Sequence, residues 1–301
     1  MLNGVTVLDL SRELAGPYAC MLLGDMGARV IKVEPPDSSS ERRDPRFFLW
    51  NRDKEMVTLD LGCPEGQAVV RQLVSRVDVV VEDWLPAYAR SLGLDYDSLS
   101  VLSPRLIFCS IPPYPEDGPL RDTPGDTHTV AASMGIMADQ GGSGSPAFVY
   151  LPLASYGAAF TACFAVSCAL FVREMEGRGQ KVEVSLLHGA MAMQAASLVS
   201  GPNLRSRGSS ERQGIRVGIP VYRLFQAQEG WFFLACGNNT FWNKLCIALG
   251  HEELVEDERF RDAPWGIPLE HYDGLSDILE PIFLKKPADY WVRFLTEKDI
   301  P

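Results

Sequence analysis

The chain has no CxxC pair, no GxGxxG fingerprint, no internal repeat and no low-complexity tract, and it carries only four histidines. Each gap removes a class of protein. Seven cysteines at positions 20, 63, 109, 163, 168, 236 and 246 are an odd number, and most sit in apolar runs such as LIFCSI. They read as reduced core residues, neither a disulfide frame nor a zinc site, and the scattered histidines imply no metal. Base is also scarce, with 28 Lys and Arg against 39 Asp and Glu, a formal net charge of −11. Nucleic acid and anionic membrane are therefore excluded as expected partners, since each needs a field of opposite sign.

No secretory signal opens the chain, because MLNGVTVLDLSREL lacks a basic stretch followed by an apolar one. The most apolar run, Tyr156 to Val172, contains small and hydroxyl side chains and meets Arg173 and Glu174. It falls short of the ~20 residues a bilayer requires and reads as a buried helix. The expected setting is the cytoplasm.

What is present is 46% apolar residues over 301 positions, enough for one large core and a smaller one. Residues 4–10 read as a buried strand, Pro17 to Met26 as a helix and Arg29 to Glu34 as a second strand ended by Pro35-Pro36, which makes a βαβ unit. A helix from Pro64 to about Val77 and strands at 78–83 and 106–111 continue the alternation. A short helix is expected near His128 to Met137, a long one from about Ser155 to Glu176, a strand at 181–185 and a helix at 187–199. The pattern predicts an α/β fold, a mainly parallel sheet covered on both faces. Residues 1–200 form the expected large domain, 201–220 a polar linker, and 221–301 a smaller α+β domain with aromatic strands near 221–225 and 230–236. The last residues, Lys298 to Pro301, bring no closing element, so the small domain is expected to be incomplete.

Ligand chemistry is expected in the turn after the first strand, residues 10–18 (LSRELAGPY). Open α/β sheets hold ligands at strand carboxyl ends, and the amides of a helix N-terminus suit a phosphate. With Gly16 as its sole glycine, the turn cannot serve a nicotinamide or flavin in the usual way. Glu34 imitates a ribose-binding acid and reads as a strand terminus. Lys32, Arg42, Arg43, Arg46, Arg52 and Lys54 then gather base in an acidic chain, as a phosphate cradle or a solvated face.

Five motifs in order, residues 10–36, 51–66 (NRDKEMVTLDLGCPEG), 78–99 (DVVVEDWLPAYARSLGLDYDSL), 103–111 (SPRLIFCSI) and 177–190 (GRGQKVEVSLLHGA), resemble the class III, CaiB/BaiF-type CoA-transferase family. The resemblance extends through GIPVYRLFQAQEGWFFLACGNNTFWNKLCIALG, residues 218–250. It implies a Rossmann-like large domain, an interlocked homodimer, and coenzyme A or acyl-CoA as substrate with no permanently bound cofactor. The implied reaction moves CoA from an acyl-CoA donor to a carboxylic acid. The implied CoA contacts are Arg12, Glu13, Leu14, Ala15, Lys54, and Asp83 and Trp84 where the family usually has Asn-Phe.

The family's nucleophile is an aspartate, which forms a mixed anhydride and then an aspartyl-CoA thioester. Ser155 stands at that position here, within Leu151-Pro152-Leu153-Ala154-Ser155, where serine could cap the helix as aspartate does. In the racemase branch a histidine shares the work, and Asp126 of Pro124-Gly125-Asp126 stands at its position. His128 follows two residues on and reads as a loop or core residue. Candidate bases for Ser155 are His128, Asp126 and Asp139. The alternatives left open are a non-catalytic CoA-binding domain, an inactive half fused to a second CoA-transferase half, and an acyl-CoA racemase or lyase.

Overall fold

The computed structural model describes residues 1–37, 41–141, 145–198 and 218–301. Aliphatic and β-branched residues with turn residues on either side make the first strand, β1 (Thr6–Asp9), whose last three residues are buried. β2 (Arg29–Glu34) follows the helix Ala15–Asp25, and β3 (Glu55–Thr58), β4 (Val79–Glu82), β5 (Ile107–Ser110) and β6 (Lys181–Glu183) complete a sheet in the order β3-β2-β1-β4-β5-β6. Every pairing in it is parallel. This is the doubly wound order in which the chain runs outward from β1 to one edge and then outward from β4 to the other. The crevice above the carboxyl ends of β1 and β4 is thus the topological switch point, where such sheets bind ligands.

Central strands β4 and β5 are buried on every residue, as a sheet covered on both faces requires. One face holds Val7, Cys20, Val79 and Ile107 with the helix Leu153–Glu176; the other holds Leu8, Val80, Phe108 and Val70. Strand β3 escaped the sequence reading. It is a four-residue edge with an exposed or half-buried face, so its apolar alternation is too short to register. The helices Pro45–Trp50, Pro86–Leu92 and Tyr96–Ser100 are likewise additions, each short enough for its opening Pro or Asp to read as a turn.

The helix Leu153–Glu176 is long and apolar enough, by length and composition, to cross a membrane. Here its inner face, including Ala154, Ala158, Ala162 and Val166, lies in the sheet's core. It meets the helix Leu186–Met193 without side chains between them: a Cβ on Gly157 would sit 3.0 Å from Gly189 Cα and closer still to its carbonyl. The expected helix at 187–199 ends at Met193, with a further turn Ala195–Leu198; Val199 lies outside the described residues.

Contacts divide the chain into Met1–Gln140 with Ala147–Arg207, and Gly141–Pro146 with Gly208–Pro301. Most of the expected linker at 201–220 lies outside the described residues. The second unit has an antiparallel pair, β7 (Tyr222–Gln226) and β8 (Trp231–Ala235), over the helices Asn239–Leu249, Tyr272–Phe283 and Ala288–Glu297. Its core is aromatic: Phe225, Phe232, Trp242, Phe260 and Phe283. Among the cysteines, 20, 109, 236 and 246 are buried, and burial pushes Cys236 and Cys246 up to about 12; Cys168, against expectation, is exposed on the outer face of the long helix.

The glycine contact makes a prediction. Gly189→Ala drives a methyl into the backbone of Ala154 and Ala158, and overpacking of this kind costs about 1–3 kcal/mol. Urea unfolding should show a loss of about 2 kcal/mol or more. A loss under about 0.5 kcal/mol would show that the two helices part freely.

Candidate active site

The turn after β1 is built around a buried charge. Asp9, 0% exposed, closes the strand, and its carboxylate takes Lys32 Nζ at 3.2 Å and Lys54 Nζ at 2.8 Å. Ser11 donates its amide at 3.0 Å and its hydroxyl to the same carboxylate. Burial works to raise the Asp9 carboxyl, and the two ammonium groups overcome it, holding the group well below the usual carboxylate range. Lys54 spends its three donors on Asp9, Pro17 O and Asn51 Oδ1, each at 2.8 Å, and its side chain is 1% exposed. Lys32 donates to Ser11 O.

The same turn is tied to β4 from the other side. Asp83, half-buried, accepts from Arg12 N at 2.9 Å with both oxygens and from Glu13 N at 2.7 Å. Arg12 and Glu13 are two of the residues the resemblance implies for CoA; here a carboxylate of the protein occupies their amides. Burial pushes Asp83 up to about 7 against the pull of those two amides. Gly16 permits the arrangement, since a Cβ there would strike the Ser11 side chain and lie 3.3 Å from Asp83 Oδ2. Next to it, Glu82 is 2% exposed, accepts from Trp84 N at 2.7 Å, and is pushed by burial up to about 8.

A crevice of about 700 Å³ opens above these strand ends, lined by Leu10, Arg12, Glu13, Asp60, Asp83, Trp84 and Tyr88 among others. A second cavity of about 160 Å³ adjoins it, with Arg12, Glu13, Lys32, Glu34 and Phe47 in its wall. Of the residues expected to hold CoA, Arg12, Glu13, Asp83 and Trp84 line the crevice. Ala15 is buried in the first turn of its helix, Leu14 is that helix's N-cap residue, and Lys54 is enclosed. The basic cluster is largely spent on local acids: Arg42 on Glu34 at 2.5 Å, Arg46 on Asp44 at 2.6 Å, Arg52 on Asp25 at 2.5 Å, and both lysines on Asp9.

Ser155 lies in the first turn of its helix, 3% exposed, but not at its cap: the helix starts at Leu153 with Pro152 before it. Its amide, one of the donors left over at a helix start, reaches Thr127 Oγ1 at 3.2 Å. Thr127 opens the helix Thr127–Ser133, whose N-cap is Asp126. The structure therefore brings positions 126 and 155 together through Thr127. Asp126 is exposed and committed to capping, accepting from His128 N at 3.0 Å and Thr129 N at 2.8 Å; the Thr129 bonds, with His128's, hold it below the usual carboxylate range. His128 stacks on Phe148 with ring centroids 5.0 Å apart, and its Nε2 is buried without a hydrogen-bond partner. Tyr18, one turn beyond the crevice loop, meets Tyr156 edge-on at 5.3 Å and so joins the two halves of the site.

The sequence profile of CoA-transferase family III matches residues 2–301. The chain belongs to that family. Among its relatives, an acetyl-CoA:oxalate CoA-transferase of Acetobacter aceti is 30% identical, covering 99% of this chain and 79% of its own. A succinate–glutarate CoA-transferase of Agrobacterium fabrum is 34% identical over 86% of this chain and 69% of its own. The orthorhombic crystal structure of Rv3272 from Mycobacterium tuberculosis superposes on the whole chain and 81% of its own length, with TM-score 0.85 at 30% identity. A CaiB/BaiF family protein from Brucella suis gives 0.78 at 30% identity, covering all of this chain and 82% of its own. The family's α/β sheet is thus the fold seen here.

Asp9 and Lys32 carry signals that sequence reading passed over or misassigned. A lone acid in VTVLDL and a lone lysine in VIKVE interrupt runs that are otherwise apolar, which marks buried charge that must be paired. Asp60 and Tyr88 had no such signal, because their place in the crevice is set by strand order.

Two predictions come from these charges. Asp9→Asn leaves two buried ammonium groups without their anion, and urea unfolding at pH 7 should show a loss of about 3–5 kcal/mol; a loss below about 1 kcal/mol would mean water satisfies the lysines. Glu82 has a folded pKa above its unfolded one, so the native state keeps a proton that the unfolded chain releases. Its contribution to stability therefore falls as pH rises from about 5 to about 8. Glu82→Gln should remove about half of the protein's decline in stability over this range, Asp83, also raised by burial, supplying the rest; an unchanged pH profile would show that Glu82 titrates normally.

Proposed function

We propose that this protein handles an acyl-CoA and a carboxylate acceptor, the acyl-CoA:carboxylate CoA transfer named for its relatives, with the nucleotide end of CoA in the crevice over β1 to β4. The crevice's position carries this reading. It lies at the sheet's switch point and is bordered by Arg12, Glu13, Asp83 and Trp84. The Tyr18–Tyr156 contact holds the start of the Ser155 helix against the helix that leaves the crevice loop, so a thioester extending from the nucleotide is led toward position 155.

Ser155 limits what can happen there. In the family's route the donor acyl group passes to a carboxylate oxygen as CoA thiolate leaves. The thiolate then attacks the enzyme's own carboxyl carbon, releasing the donor acid; the acceptor carboxylate displaces CoA from that carbon in turn, and the thiolate finally attacks the acceptor's acyl carbon, forming the new thioester and freeing the enzyme carboxylate. A serine oxygen can complete only the first exchange: the O–acyl bond forms, the C–S bond breaks, and the hydroxyl proton goes to a base. The resulting ester contains no enzyme carbonyl on which CoA can ride. Asp126 does not fill the gap in this geometry, being the cap of its own helix. Ser155 is thus the one observation that favours a second reading, a CoA-binding domain of transferase ancestry without turnover.

Succinyl-CoA with glutarate and acetyl-CoA with oxalate are the pairs to test, reading CoA esters by mass spectrometry and the protein by intact mass. Transfer that is lost in Ser155→Ala supports turnover by this chain, and CoA binding with neither adduct nor transfer supports the second reading. Ser155→Asp should raise transfer at least about tenfold. A folded, CoA-binding Ser155→Asp protein that is inert across a broad panel of acids would remove Ser155 from the nucleophile's place.

A further inference from the structure

The crevice is poor in the groups that hold phosphate. Among its described lining residues Arg12 is the one cation, set against the carboxylates of Glu13, Asp60 and Asp83. Two amides of the turn, those of Arg12 and Glu13, already face the Asp83 carboxylate at 2.7 to 2.9 Å. Of the bases nearby in sequence, Lys32 and Lys54 are paired with Asp9, Arg42 with Glu34 and Arg46 with Asp44, and Arg43 is exposed outside the crevice lining. What the crevice offers freely is neutral surface. Tyr88, 49% exposed, stands edge-on to Trp84 at 5.6 Å, and Leu10 and Val33 line the same wall.

Coenzyme A carries a pyrophosphate and a 3′-phosphate, the latter a monoester with a charge between about −1.5 and −2 at neutral pH. One guanidinium can serve the pyrophosphate. A second, denser anion beside Glu13 and Asp60 gains nothing. We propose that this crevice does not read the 3′-phosphate, and that thioesters of 3′-dephospho-CoA are ligands on equal terms with those of CoA. The inference rests on the CoA-binding reading above. Affinity then comes from the base and the pantetheine arm against Trp84, Tyr88 and the apolar wall, all of which dephospho-CoA retains.

Calorimetry of the intact protein with CoA and with 3′-dephospho-CoA, at about 0.05 M and about 0.5 M salt, tests this. The expected dissociation constants lie within about threefold of each other, and that of CoA changes by less than about threefold with salt. Asp60→Lys, which puts a cation in the lining, should then make CoA about tenfold tighter than dephospho-CoA at low salt, with a urea midpoint close to that of the unaltered protein as the sign of an intact fold. A preference for CoA of about tenfold or more in the unaltered protein overturns the inference and leaves CoA binding standing, as does an unchanged ratio in Asp60→Lys. Heat from neither ligand overturns both.

Discussion

The placement of one buried carboxylate governs the site. Asp9 ends β1 inside the protein, where an isolated charge would be intolerable, and draws in Lys32 from the neighbouring strand β2 and Lys54 from the approach to β3. Those lysines in turn grip the carbonyls of Ser11 and Pro17, at either end of the crevice loop. The loop's course is therefore dictated by charge pairing beneath it. Asp83 fastens it from above by its amides. Between the two carboxylates, little of the loop's polar backbone is left to choose its own conformation.

This wiring explains why the βαβ frame was legible in the sequence while the role of its polar residues was not. Strands β1, β2, β4 and β5 are apolar runs closed by turn residues, and their buried state follows from composition. Whether Lys54 meets a ligand or a neighbour depends on what its ammonium finds within 3 Å, and its three partners come from positions 9, 17 and 51. No local pattern encodes such a meeting. The basic run from Lys32 to Lys54 misleads for the same reason: in the fold five of its six charges have an acid beside them, at Asp9, Glu34, Asp44 or Asp25, and Arg43 is exposed. Motif resemblance named four residues that the fold gathers at one crevice, Arg12, Glu13, Asp83 and Trp84, without separating residues that line it from residues that hold it in shape.

Glu82 and Asp83 show a cost of putting a crevice at strand ends. Both acids sit where β4 leaves the sheet, and burial raises both into the neutral range. A pair of adjacent carboxyls that keep protons near pH 7 is a destabilising feature compared with the same acids in water. Their retention makes sense in terms of what they organise: Glu82 sets the amide of Trp84, and Asp83 sets those of Arg12 and Glu13, so the crevice wall and the crevice loop are registered to one strand end.

The region around position 155 would accept an aspartate, as the proposed nucleophile position asks, without disturbing the fold. The helix Leu153–Glu176 takes no side-chain cap at its start, and the amide of Ser155 is met by Thr127 whatever side chain the residue bears. Its seating on the helix Leu186–Met193 depends on Gly157 and Gly189, which touch backbone to backbone. A carboxylate at 155 would lie in the first turn of a 24-residue helix, where the macrodipole favours negative charge. The scaffold is thus indifferent to the hydroxyl and still electrostatically suited to an acid, so on the reading proposed above the difference between a working transferase site and a binding domain would rest on the oxygen chemistry of one side chain.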